Sequence, residues 1–138
     1  MKKQTIKLAL FVFVLAILAY GVYMAYTDIM RPKKERFTDG AKVKICLYKA
    51  TWCHHCQSYT KSNVFEDVYS DVKGKYDDVV FATYDFDENK KMAEQYNINS
   101  FPTIIAVDKN GKLLDTFDGD RNNKGDLMRF VEMNRQKV

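Results

Sequence analysis

Only three cysteines, two histidines and two prolines occur in this 138-residue chain, and each scarcity narrows what it can do. Cys46 is the only cysteine outside the pair Cys53 and Cys56, so no second Cys-x-x-Cys completes a structural zinc site. The four ligand-type residues Cys53, His54, His55 and Cys56 are also too crowded to surround one metal tetrahedrally, and no metal is expected. A c-type haem attachment needs histidine directly after the second cysteine, where Gln57 stands. There is no internal repeat and no low-complexity segment. No basic face stands out either. The net charge of +4 falls to about +2 once Lys2, Lys3, Lys7 and Asp28 are set aside, leaving 19 basic against 17 acidic residues from Arg31 onward. Nucleic acid is therefore not an expected partner.

Charge is wholly absent from one stretch, Leu8 to Tyr26 (LALFVFVLAILAYGVYMAY). As a helix it covers about 28 Å at ~1.5 Å per residue, close to the hydrocarbon thickness of a bilayer. It has no polar face of the kind a core helix shows. A cleaved signal peptide is the alternative, with Ala19 and Gly21 as a small-x-small site. The length of the run and the tyrosines at 20, 23 and 26, suited to an interfacial belt, favour an uncleaved anchor in a lipid bilayer. The expected organisation is a basic segment 1–7, an anchor 8–30, a polar linker 31–41 carrying Pro32 and Gly40, and a folded domain 42–138. Basic residues flank the anchor on both sides, slightly favouring a cytosolic domain. The redox chemistry below favours the opposite side, where disulfides persist.

That chemistry rests on Trp52-Cys53-His54-His55-Cys56. Two cysteines two residues apart, after a hydrophobic strand and before a helical pattern, form a redox dithiol in a suitable context. The spacing sets Cys53 at the N-terminus of a helix, where unpaired N–H groups and the helix dipole favour a thiolate. His54 and His55 add donors, and charge when protonated, at the same end. A purely structural bridge across so short a loop would gain little loop-closure entropy. Cys46, alone in mid-strand, reads as a small buried hydrophobe.

The rest of the pattern is a mixed α/β domain. Lys42 to Tyr48 reads as a strand. One helix is predicted from Cys56 to near Gly74, with Tyr59, Val64, Phe65, Val68, Tyr69 and Val72 at mostly 3–4 spacing. Val79 to Phe86 is a second strand, with Asp85 and Asp87 as ordinary strand-end and turn residues. Lys90 to Tyr96 is a short helix with Asn97 as a left-handed cap. Thr103 to Val107 and Lys112 to Phe117 form a hairpin around Asp108-Lys109-Asn110-Gly111, and Asp126 to Gln136 is a final helix burying Leu127, Phe130 and Val131. The order is βαβαββα, with the dithiol at a strand's C-terminal end.

From about Lys42 onward the sequence resembles the thioredoxin superfamily. The carriers are W-C-x-x-C at Trp52 to Cys56, the stretch Tyr96 to Thr103 ending in Phe101-Pro102-Thr103, the Lys109-Asn110-Gly111 hairpin and Gly119 before the last helix. The resemblance implies a three-layer thioredoxin-like fold lacking the first strand and helix. It implies Cys53 as the exposed nucleophile and Cys56 as the resolving thiol. Pro102, with a cis peptide bond, would pack against the pair while the Phe101 backbone and the Trp52 surface receive a substrate peptide. Trp52 suits ordinary packing about as well, and plain core is the lesser reading of Phe101. His55 before the second cysteine is similar to disulfide isomerases and oxidases, where it favours the thiolate; His54 has a weaker claim. In the family a buried carboxylate stands six residues before the first cysteine, with a partner lysine on the next parallel strand. Here those positions are Leu47 and Thr83, and the helix-kinking proline is Lys61, so a straighter helix is expected. The second strand becomes a sheet edge in need of cover from Phe37 to Ala41.

The expected function is thiol–disulfide oxidoreduction on cysteine-containing protein substrates, leaning to oxidase or isomerase, with a separate redox partner that recycles the pair and no cofactor. A membrane-tethered binding or scaffold module with little turnover is the alternative.

Overall fold

The computed structural model describes residues 2–30, with side chains from 12 to 26, and residues 40–138. The chain divides into two units, Met1–Arg36 and Phe37–Val138. The first holds one helix, α1 (Lys2–Met30), whose described side chains are all exposed. Among the described residues no helix is long and apolar enough to cross a membrane. The anchor expected over 8–30 is thus unsupported by the described residues. The side chains of the basic segment 1–7, and the linker as far as residue 39, lie outside them.

The second unit begins with β1 (Val43–Lys49), buried along all but its last residue. Residues on opposite faces of this strand enter different cores, as alternation of side chains requires. Val43, Ile45 and Leu47 join one cluster with Tyr59, Phe65, Val68, Leu127 and Val131. Cys46 and Tyr48 join another with Tyr84, Ala93, Ile98 and Ile105. A strand covered on both faces reads as a continuous apolar run, which is why its sequence alternates only at the start. Cys46 is buried as expected.

After β1 come α2 (His54–Lys61) and α3 (Val64–Lys75). The single helix expected from Cys56 to Gly74 is therefore two, and the straighter path foreseen from Lys61 is not taken. Proline is not needed for the break. Ser62 Oγ donates to the Tyr59 carbonyl at 2.7 Å, and Asn63 turns into the left-handed region at φ 55°. Asparagine tolerates that conformation and serine competes for helix carbonyls, so the pair ends one helix and starts another. Then follow β2 (Val79–Asp85), α4 (Lys90–Gln95), β3 (Thr103–Asp108), β4 (Leu113–Thr116) and α5 (Lys124–Arg135). Asn97, just after α4, adopts the expected left-handed conformation at φ 54°.

The sheet order is β2-β1-β3-β4, with β1 and β2 parallel and the other pairs antiparallel. Leu47 stands directly beside Thr83 in the β1–β2 register. Among the described residues β2 is an edge strand, as expected; of the segment from Phe37 to Ala41 expected to cover it, residues 37–39 lie outside the described residues. Arg135 holds Asp78, and Glu132 accepts from both Lys75 and Tyr76, so α5 is tied to α3 and the start of β2. The parallel strand ends of β1 and β2 and the start of α2 converge at one rim of the sheet, where the dithiol lies.

Candidate active site

Ala50 and Thr51 carry the chain from β1 over the sheet edge, and Cys53 N–H donates to the Ala50 carbonyl at 3.1 Å, closing the turn. Cys53 is thereby fixed as the N-cap of α2, in an extended conformation, and its Sγ accepts the Cys56 N–H at 3.3 Å. Sulfur takes the role an N-cap oxygen usually fills, under the positive end of the helix. The Cys53 thiol in turn reaches the Phe101 carbonyl, 3.6 Å away. The Phe101–Pro102 bond is cis.

Three free thiols are present, and two of them meet here. Cys53, expected to be exposed, is instead buried with Cys56 and Ala50 beneath Phe86 and Phe101, whose rings lie 4.7 Å apart. Burial disfavours a charged sulfur, and the hydrogen bond to Cys53 adds to this, so the Cys56 thiol is pushed up to about 11. The Ala50 backbone and the Lys49 charge pull the other way without overcoming it.

Trp52 is 64% exposed and stands edge-on to Phe101, centroids 6.0 Å apart. Its indole N–H donates to Asp87 Oδ2 at 2.9 Å. Asp87, expected to be an ordinary turn residue, therefore fixes the aromatic beside the dithiol. His54 and His55 are exposed on the first turn of α2, their rings 6.4 Å apart. Among the described residues neither imidazole hydrogen bonds to a cysteine. His55 does line a groove of about 510 Å³ with Tyr59, Phe101, Pro102, Gly119 and Arg121. The groove thus runs from the helix start, past the cis proline, to the loop before α5.

Residues 33–133, more than half of the chain, match the thioredoxin family. The chain belongs to that family. Two curated relatives carry the likeness in sequence. A probable protein disulfide-isomerase A6 from Medicago sativa is 34% identical over 99 residues, covering 72% of this chain and 25% of that protein. Thioredoxin H5 from Oryza sativa subsp. japonica is 29% identical over 105 residues, covering 75% of this chain and 71% of that one. The chain spans a quarter of the disulfide isomerase's length. Among solved structures, human ERp44 superposes with a TM-score of 0.59 at 27% identity, over 72% of this chain and 29% of that one. Thioredoxin from Fasciola hepatica superposes at 0.55 and 23%, over 70% and 84%, a likeness of fold alone.

Within the thioredoxin fold, the sequence identified Trp52, Cys53, His54, His55, Cys56, Phe101 and Pro102, and all seven gather at this rim. It missed Asp87, Tyr59 and Arg121. Asp87 has a local signal, since it follows a strand parallel to β1 and must emerge beside the motif. Arg121 has none, because only the return of the chain through β3 and β4 brings its loop to the groove. Leu47, where thioredoxins carry a carboxylate, is 4% exposed and packed in the core. Among the described residues no cluster of histidine, cysteine and carboxylate side chains could hold a metal ion.

Proposed function

We propose that this protein is a thiol–disulfide oxidoreductase acting on cysteine-containing protein substrates, leaning to oxidase or isomerase chemistry. The observation that carries the reading is Cys53 Sγ at the start of α2, receiving the Cys56 N–H and facing the Phe101 carbonyl beside the cis proline. A helix N-terminus favours negative charge on a capping group, which helps Cys53 both as attacking and as leaving sulfur. In the reductive direction, Cys53 attacks one sulfur of a substrate disulfide and a mixed disulfide forms, the other substrate sulfur leaving as thiolate. Cys56 then loses its proton and attacks Cys53. The Cys53–Cys56 bond forms, the second substrate sulfur departs, and two electrons have passed to the substrate. Oxidation runs these steps backwards, and a separate redox partner restores the pair. The substrate backbone lies along the groove against Phe101, with Trp52 covering the exchanging sulfurs. His55, and more weakly His54, favour the thiolate by their charge when protonated.

The oxidase or isomerase leaning draws on the histidine before Cys56 and on the likeness to disulfide isomerases. The uncharged run from Leu8 to Tyr26 supports a tether in a lipid bilayer, with the redox domain on the extracytosolic side, where such chemistry is useful. A binding module with little turnover is the second reading, favoured by Leu47 and Thr83 in place of a buried carboxylate and its lysine.

Equilibrating the protein with glutathione redox buffers tests the assignment. A reversible Cys53–Cys56 bridge with a potential of roughly −120 to −200 mV matches an oxidase or isomerase. A value of about −270 mV would reverse the direction and side with a cytosolic domain. No reversible bridge at any potential would contradict the enzyme reading.

A further inference from the structure

A cavity of about 30 Å³ lies among Leu47, Lys49, Tyr59, Glu66 and Thr83. Leu47 and Lys49 project from the same face of β1, and Leu47 and Thr83 are direct neighbours in the sheet. The cavity therefore sits where the resemblance implies a buried carboxylate and lysine, positions this chain fills with an aliphatic side chain and a hydroxyl. What surrounds it is nonetheless polar. The Tyr59 side chain is 94% buried, at 6% exposed, and its hydroxyl has no hydrogen-bond partner among the described residues. Lys49 is half-buried and Glu66 stands on the exposed rim, and neither forms an ion pair among the described residues.

A buried hydroxyl left unpaired is costly, and a cavity this size with several polar neighbours is large enough for one water molecule. Tyr59 also connects the cavity to the chemistry. It lies one turn after Cys56 on the buried face of α2, and helical side chains lean toward the N-terminus, here toward Cys56. It lines the dithiol groove as well as the cavity. The charges acting on Tyr59 are Arg121 from the loop before α5 and Glu66 from α3, and those acting on Cys56 are Cys53 and Lys49. His55 adjoins Cys56 in sequence but faces the groove.

We propose that this cavity is a water-relay site, in which water held by the Tyr59 hydroxyl carries the Cys56 proton to the Glu66 carboxylate. The inference rests on the disulfide-exchange reading and supplies the proton route that Leu47 cannot. When Cys53 is joined to a substrate, the Cys56 S–H proton passes through water to Glu66 and on to solvent. The Cys56 thiolate attacks Cys53 Sγ, the Cys53–substrate bond breaks, and the departing substrate thiolate takes a proton from solvent. Lys49 is a positioning residue, its positive charge favouring the transient thiolate.

Single-turnover release of glutathione from the Cys53–glutathione mixed disulfide of the full chain tests this. Wild type is compared with Tyr59→Phe and Glu66→Gln between pH 6 and pH 11. Each variant is expected to slow release about tenfold at pH 7, a modest share of what positioned proton-transfer groups supply. The gap closes as the pH rises into the range where the buried Cys56 thiol ionises unaided. Initial attack of Cys53 on oxidised glutathione stays at the wild-type rate. Glu66→Gln alters an exposed side chain, so it remains informative whatever Tyr59→Phe does to the core. Wild-type release rates in both variants at pH 7, or a deficit constant across pH, overturn the relay. Failure of the wild type to form any glutathione adduct is a different result, which overturns the exchange reading and the relay with it.

Discussion

The Cys56 thiol should hold its proton about two pH units longer than an ordinary cysteine, and raising the pH measures this. The causes are visible in the structure. Cys56 is 2% exposed, packed with Ala50 under Phe86 and Phe101, and its thiol is hydrogen-bonded with the Cys53 side chain. Together they push it from 9.0 to about 11. At pH 9 an ordinary thiol is half ionised, whereas Cys56 would be only about 1% thiolate. The assay is pulse alkylation of the reduced protein from pH 6 to pH 12, read by peptide mass spectrometry. Burial slows the reagent at every pH, so the midpoint of the rate profile is the quantity to read, not the absolute rate. The expected midpoint for Cys56 is about 11. Burial is the larger cause, so Cys53→Ser should lower this midpoint only part of the way to 9.0. A midpoint at or below 9.0 in the wild type would refute the packing argument, and with it the need for a proton route.

The same shift has a thermodynamic consequence. A group whose folded-state value is raised keeps its full contribution below the unfolded value and loses it as pH climbs through the folded one. Urea titrations of the reduced protein should therefore show stability falling from pH 9, through Cys56, toward pH 12, through Tyr59, which burial pushes up to about 12. In acid the direction reverses: Arg135 holds the Asp78 carboxyl below its usual range, so that contribution is lost as pH drops. Gly119→Ala would bring a Cβ to 2.9 Å from the buried Phe117 ring and should cost about 1–3 kcal/mol in urea unfolding; a neutral result would mean the loop before α5 yields freely. At Asn63, held at φ 55°, a change to valine should cost about 1–2 kcal/mol while glycine is tolerated; equal losses for both would argue against a left-handed helix break. Asp87→Ala removes the acceptor of the Trp52 indole, and because Trp52 is the only tryptophan its fluorescence should shift. An unchanged spectrum would mean that this hydrogen bond does not hold the indole in solution.

The site was legible wherever its parts are close in sequence. Cys53 and Cys56 declare themselves by spacing after a strand, and Phe101-Pro102 by the resemblance of Tyr96 to Thr103 to the thioredoxin stretch. The antiparallel pairing of β3 and β4 was legible too, because Asp108 to Gly111 is a hairpin turn between two apolar runs. The break between α2 and α3 was not, since the apolar positions Phe65, Val68 and Val72 continue a helical spacing that masks two polar residues changing direction. Tyr59 shows the same limit. Its position on a helix face marked it as core, and only the fold reveals that its hydroxyl is buried without a partner among the described residues and that the residue lines a cavity beside Leu47. Helix α1 was legible as a helix from its composition, while its role belongs to the proposal of a tether.

The central claim is that Cys53 captures a substrate cysteine and Cys56 releases it. Covalent trapping tests it most directly: Cys56→Ala, Cys53→Ala and wild-type chains are exposed to a disulfide-bonded protein, quenched in acid and separated without reductant. Mixed disulfides that accumulate through Cys53 in Cys56→Ala, are absent in Cys53→Ala and remain transient in the wild type are the predicted result. No covalent adduct in Cys56→Ala, with the fold intact, would contradict the account and leave the domain as a binding module.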